Sequence, residues 1–193
     1  SLQVQKMNDK ITVGILGGGQ LGMMLCQAYQ NTNIETHVFC PDKDSPAKSY
    51  ANRFTCADYL DENAISSFNK SVDYITYEFE NIPKETLEYI KNSKKLRPGI
   101  KSLESTQDRL IEKRFLEELN VPIAPYIEFK KEEDIQYILS KFGESILKTR
   151  RFGYDGKGQI SKKDEIKFDS NLEKLINNAI IEKKIPFEFE FSQ

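Results

Sequence analysis

The sequence is poor in the residues that build metal and disulfide centres. Its 193 residues contain one histidine, His37, and three cysteines, Cys26, Cys40 and Cys56, spaced 14 and 16 apart with no CxxC pair. That argues against a zinc site and a disulfide scaffold, and an odd cysteine count suits a reducing cytoplasm. No apolar run approaches the roughly 18–20 residues that cross a bilayer, so no membrane partner is expected. The start, Ser1-Leu2-Gln3-Val4-Gln5-Lys6, is polar and short, unlike a secretory signal. Residues 1–10 are read as a tag or disordered extension, with Met7 as a natural start. A basic excess is also missing. Lys and Arg number 28 against 30 Asp and Glu, for a net charge of -2 and a pI near 5.7, which argues against a nucleic-acid partner.

What is present describes a globular chain. Hydrophobic residues make up 38% and charged residues 30%, and 12 Phe with 9 Tyr can fill a sizeable core. The length corresponds to one large domain or one and a half. In the first half, strand-like and helix-like segments alternate. Ile11–Leu16 is a short β-branched run ending in glycines, and Gln20–Tyr29 carries Leu21, Met24, Leu25 and Ala28 at helical spacing. Strands are expected at 36–39, 53–56 and 72–77, and helices at 61–68 and from Pro83 to Ile90. Such alternation implies a doubly wound parallel sheet. A boundary is expected near Leu96-Arg97-Pro98-Gly99, after which the rhythm changes. Asp108–Leu119 reads as a helix with Leu110, Ile111, Phe115, Leu116 and Leu119 on one side, and Glu132–Phe142 as another. Strands are expected at 145–148, 179–182 and 187–191, with a short helical stretch at 172–176.

Two glycine clusters carry the chemistry. Gly17-Gly-Gly-Gln-Leu-Gly22 follows a strand and opens a helix, which is the context of the G-x-G-x-x-G pattern. A dinucleotide site would also need a carboxylate about 20 residues on, and Asp42 comes slightly late, after Pro41. A phosphate or small-ligand site and a turn needed only for packing both fit these residues. The second cluster runs from Lys148 to Gln159. Two of the chain's six arginines, Arg150 and Arg151, are followed by Gly153, Gly156 and Gly158, with Lys157 among them. Cations on a glycine loop suit polyphosphate, although the Walker A spacing is absent. A solvated hairpin with incidental charge is the plainer alternative.

Read in order, Gly17–Gly22, Thr76-Tyr-Glu-Phe-Glu80, Asp108-Arg-Leu-Ile-Glu-Lys113 and Leu147-Lys-Thr-Arg-Arg-Phe-Gly-Tyr-Asp-Gly-Lys-Gly-Gln159 closely resemble one family. It is the N5-carboxyaminoimidazole ribonucleotide synthetases of purine biosynthesis, ATP-grasp enzymes also called the ATPase subunit of phosphoribosylaminoimidazole carboxylase. The resemblance runs from about Ile11 to the end. It implies an α/β chain: a Rossmann-like pre-ATP-grasp domain with a doubly wound parallel sheet over 11–98, then the first, α+β part of an ATP-grasp fold over 99–193. The implied reaction uses ATP to convert bicarbonate to carboxyphosphate, whose carboxyl unit the amine of 5-aminoimidazole ribonucleotide takes up as a carbamate.

Carried over by position, the resemblance places Arg109 and Lys148 on ATP, with Gly153, Tyr154, Asp155, Gly156, Lys157, Gly158 and Gln159 forming the loop over its phosphates. Glu182, Lys183, Lys184 and Ile185 match the hinge that reads adenine, and Glu190 the acidic residue near the ribose. Without the resemblance, Glu182 and Glu190 would read as surface strand positions. Gln20, Leu21 and Glu78 match substrate-binding positions, and Tyr154 and Asp155 face the substrate. Asp155 and Lys157 are the expected catalytic residues, Asp155 orienting the amine or accepting its proton. Glu80 is expected to pack or cap. Phe152 departs from the family by standing where glycine is usual, and Lys157 where arginine is also common.

The Mg2+ ligands of the family come from a later part of the fold and have no counterpart in this sequence. The chain is therefore expected to be an N-terminal portion, inactive in carboxylation by itself, with a homodimer implied for the complete enzyme. Two other functions remain open on the residues alone: a dinucleotide-binding oxidoreductase built on Gly17–Gly22, which leaves the second cluster unexplained, and a non-catalytic nucleotide-binding module. A related glycinamide ribonucleotide transformylase shares the layout but fits the second cluster less well.

Overall fold

The computed structural model describes residues 10–153, 158–162 and 168–189, with side chains excepted at 161 and 162. The chain divides into two compact units at Leu103/Glu104. The expected extension over 1–9 lies outside the described residues.

In the first unit four strands form one parallel sheet: β1 (Ile11–Leu16), β2 (Ile34–Phe39), β3 (Arg53–Thr55) and β4 (Tyr74–Tyr77). The order is β3-β2-β1-β4, with Ile11 opposite Ile34 and Val13 opposite both Thr36 and Tyr74. Right-handed crossovers are the rule for such parallel pairs, and helices fill them on both faces. Successive strand residues face opposite sides, and the two cores show it. Val13, Ile15, Val38 and Cys40 pack with Cys26 of helix α1 (Gln20–Tyr29) on one face. Leu16, Phe39 and Ile75 pack on the other face with Ile65 and Phe68 of α2 (Glu62–Lys70) and with Leu87 and Ile90 of α3 (Lys84–Ile90). Fully buried Leu103, in α4 (Ile100–Thr106), belongs to the second of these cores.

The second unit has an antiparallel sheet, β5-β8-β6-β7, of β5 (Tyr126–Glu128), β6 (Ser145–Thr149), β7 (Gln159–Lys162) and β8 (Ala179–Lys183). Helices α5 (Arg109–Glu118), α6 (Glu133–Phe142) and α7 (Ser170–Glu173) accompany it. Phe129, Ile135, Ile138, Leu147, Leu172, Ala179 and Ile181 make its core. No helix among the described residues is long and apolar enough to cross a membrane.

The expected α/β architecture is present, with four local differences. The apolar spacing in α1 does not mark its buried face: Gly22 and Cys26 are buried, whereas Leu21 and Met24 are exposed. In α5 only Leu110 is buried, and Ile111, Phe115 and Leu119 are exposed. Residues 187–189 form no strand, the remainder of that expected strand lying outside the described residues. The helical stretch expected at 172–176 starts earlier, because Asp169 caps it through Asn171 and Leu172 N–H at 2.9 and 3.0 Å.

Candidate functional site

In the first unit, the strand order reverses at β1, which has β2 on one side and β4 on the other. Ligands of open α/β sheets bind at the carboxyl ends of strands at such a point. The glycine loop lies there. Gly17 adopts φ +107, a left-handed conformation that glycine takes at little cost, and its N–H donates to the Phe39 carbonyl at 3.0 Å. The chain then turns into α1 with Gly19 as N-cap and no side chain of its own to accept the free N–H groups. Glu78, just past β4, supplies that acceptor. Its two carboxylate oxygens take the N–H groups of Gly19 at 2.7 Å and Gly22 at 2.8 Å. A Cβ on Gly17 would lie 2.3 Å from the Glu78 side chain, so the glycines admit this carboxylate. The positive end of α1 is thus met from within the protein. A pyrophosphate aimed at the same donors would meet a like charge, which weighs against the dinucleotide alternative. Gln20 and Leu21 are exposed in the first turn of α1. Glu80 accepts from the Asn81 side chain at 3.2 Å.

The second unit gathers charge on one side of its sheet. Lys148 lies on β6, opposite Gln159 on β7 and Ile180 on β8. Its ammonium group pairs with one oxygen of Glu182, whose other oxygen is 2.7 Å from Lys113 Nζ. Glu182 is 6% exposed, a buried charge rather than a surface position. Burial pushes its carboxyl up, yet the hydrogen bonds and charges of Lys113 and Lys148 outweigh burial and hold it below the ordinary carboxylate value. Lys113 also sits 5.2 Å from the centre of the Tyr126 ring.

Beside this cluster, Asp108 caps α5 by accepting from Leu110 N–H at 2.9 Å and forms a fork with Arg150 at 2.7–3.0 Å. Burial raises the Asp108 carboxyl, but the Arg150 hydrogen bond and the cap together bring it below its usual value. Arg150 is therefore committed to Asp108, with Glu128 a further 3.5 Å away, rather than being an open phosphate ligand. Arg109 donates through its backbone N–H to the Arg150 carbonyl at 2.8 Å and through its guanidinium to the Thr149 carbonyl. These bonds hold the start of α5 against the end of β6. Arg151 stacks on Phe152, 5.6 Å away. Phe152 itself has φ +60, a left-handed conformation that a residue with a side chain adopts only at a cost.

Gly153 follows β6 and Gly158 precedes β7, which Gln159 opens; Gly158 takes φ +69 and its carbonyl accepts from Thr149 N–H at 2.9 Å. Tyr154, Asp155, Gly156, Lys157 and Glu190 lie outside the described residues. Along the segment expected to be the hinge, Lys183 N–H donates to the Pro125 carbonyl and Lys184 N–H to the Glu144 carbonyl, at 2.8 and 3.0 Å, so these donors are committed. Ile185 is exposed on the wall of a cleft of about 470 Å³ that residues 183–187 share with Phe142 and Glu144. Sequence reasoning assigned no role to Lys113 or Asp108. Lys113 stands four residues after Arg109, hence on the same helix face, which is the one signal that pointed to it.

Residues 10–107 match the ribonucleotide synthetase preATP-grasp domain, and residues 114–193 the ATP-grasp domain. The N5-carboxyaminoimidazole ribonucleotide synthase of Staphylococcus haemolyticus is 41% identical over 165 residues, covering 85% of this chain and 44% of that protein. The bifunctional purine synthesis protein purC/E of Dictyostelium discoideum is 37% identical over 187 residues, 94% of this chain and 19% of its own. The crystal structure of N5-carboxyaminoimidazole synthetase from Staphylococcus aureus complexed with ADP superposes with a TM-score of 0.81 at 35% identity, covering 91% of this chain and 48% of that one. An Aspergillus clavatus carboxyaminoimidazole ribonucleotide synthase complexed with ATP gives 0.82 at 26% identity, covering 94% and 48%. The chain spans less than half the length of each of these proteins.

Proposed function

Because the chain belongs to the ribonucleotide synthetase preATP-grasp family, N5-carboxyaminoimidazole ribonucleotide synthases among its relatives, we propose that it serves the ATP-dependent carboxylation of 5-aminoimidazole ribonucleotide with bicarbonate. ATP activates bicarbonate as carboxyphosphate, and the amine of the ribonucleotide takes the carboxyl unit. The observation that carries this reading is the Lys148–Glu182–Lys113 cluster at the base of the glycine hairpin. Two ammonium groups face one carboxylate, leaving one positive charge in surplus beside a loop suited to phosphates. Phosphoryl transfer asks a protein mainly for positioning and charge neutralisation, and this cluster provides both. Lys148 then contacts the phosphates with Arg109, while residues 153–159 cover them. The hinge reads the base through groups not already committed in the sheet, and Glu190 meets the ribose.

In the first unit Glu78 offers an acceptor at the strand switch point, with Gln20 and Leu21 beside it. A carboxylate whose lone pairs are only partly used by Gly19 and Gly22 suits ribose hydroxyl donors and disfavours a phosphate. Mg2+, which the family implies, finds no group of three or more His, Cys, Asp or Glu arranged to hold it among the described residues. The homodimer and the cytoplasmic location implied by the resemblance belong to the same proposal.

The test is direct. Lys148→Ala should weaken ADP binding to the 193-residue chain by about tenfold or more, the scale of one charge-assisted phosphate contact. Calorimetric titration reads this, and an unchanged dissociation constant would remove the assignment.

A further inference from the structure

We infer that Lys113 is a positioning residue that keeps Glu182 paired so that Lys148 can leave it for the nucleotide phosphates. The inference rests on the proposed role of Lys148 and goes beyond it, since nothing in that role requires a second lysine. The geometry supplies the reason. Glu182 carries one oxygen to each lysine, and its side chain is 8% exposed. A carboxylate this buried is costly to leave alone. If Lys148 were its only partner, drawing Lys148 away would strand that charge, and Glu182 would compete with the phosphates for the same cation.

Lys113 removes the competition. It lies 2.7 Å from the other oxygen, at 12% side-chain exposure against 21% for Lys148. The Tyr126 ring supports it from a further side. Tyr126 is in turn tied by its hydroxyl to Glu117 at 2.8 Å, one turn along from Lys113 on α5. The more enclosed lysine therefore remains with the carboxylate, and the more open one, on the strand that leads into the glycine hairpin, is free to move. The carboxylate stays neutralised in both arrangements.

The experiment compares Lys113→Met in two backgrounds, with ADP and adenosine titrated calorimetrically into the 193-residue chain. In the natural background Lys113→Met should weaken ADP about tenfold and leave adenosine unchanged, because Glu182 then retains Lys148. In the Glu182→Gln background the same substitution should cost less than about twofold, because no carboxylate remains to compete. Lys113→Arg, which keeps the charge, should restore ADP affinity. Lys113→Gln carries the same comparison if the methionine variant does not fold. Equal losses in both backgrounds, or none in either, would overturn the inference while Lys148→Met still weakens ADP. If Lys148→Met leaves the ratio of ADP to adenosine affinity unchanged, the phosphate role of Lys148 falls, and this inference with it.

Discussion

At Gly19 and Gly22 the first-turn N–H groups of α1 point at the Glu78 carboxylate, and this one contact separates two readings of the same glycines. The pattern Gly17–Gly22 specifies a loop with exposed donors but leaves the acceptor unnamed. The acceptor comes from 56 and 59 residues away. Glu78→Ala leaves both donors without it, at the end of a helix that has no side-chain cap of its own. The expected loss of stability is about 1–3 kcal/mol, the cost of unmet donors at a helix terminus. Urea denaturation of the variant checks it, and a loss below about 0.5 kcal/mol would mean that solvent satisfies these groups equally well. Lys148 and Lys113 belong to the same scale. The type and place of Lys148 announced phosphate chemistry, whereas its sharing of one carboxylate with Lys113 appears only in three dimensions.

Among the elements, α5 shows what periodicity conveys and what it leaves out. Its start at Asp108 and its end before Asn120, which takes φ +57, are both legible in the residues. Its buried face is not. Apolar residues at i, i+4 and i+8 mark one side of a helix, but Ile111, Phe115 and Leu119 are exposed, while Leu110 and the stem of Lys113 turn inward. The helix is anchored at its N-terminus instead. Asp108 both caps it and holds Arg150, so Asp108→Ala should cost the cap and free the arginine together. The expected destabilisation is about 2 kcal/mol, since Arg150 is a quarter exposed and its share is partly screened. Thermal unfolding reads this. Asp108→Asn should recover part of the loss by retaining the cap, and an equal loss in both variants would contradict a capping role. Two short elements, β5 and α4, gave no signal in the sequence. The ladder with β8 supplies the hydrogen-bond partners of β5, which its three residues do not specify.

For the molecule as a whole, acid resistance should differ between the units. His37 is buried in the first unit, its ring nitrogens 2.9 Å from the Ser71 hydroxyl and 2.8 Å from that of Thr55. Burial, helped by the nearby Arg53 charge, brings its pKa down to about 4. The unfolded chain takes up that proton near pH 6.5 and the folded one only near 4. The stabilisation is thus complete above pH 6.5 and lost as the pH falls from 6.5 to 4, amounting to about 3 kcal/mol. In the second unit, Asp108 and Glu182 are held below their usual values of 3.8 and 4.5. Their contributions are retained until the pH falls below those values, so acid loss should begin in the first unit. The single histidine makes the check simple: its imidazole NMR resonance should titrate near pH 4, and a midpoint near 6.5 would refute the buried neutral state. By itself the sequence determined the alternation of strands and helices, the place of both glycine loops and the family. These depend on residue type and short spacing, which act locally. Only the tertiary structure decided that a glutamate fills the first loop, that Arg150 serves Asp108 and that two lysines share Glu182. Each of these pairs a charge with a group 34 to 69 residues away. Charge and hydrogen bonding choose partners by proximity after folding, and spacing along the chain does not encode that proximity.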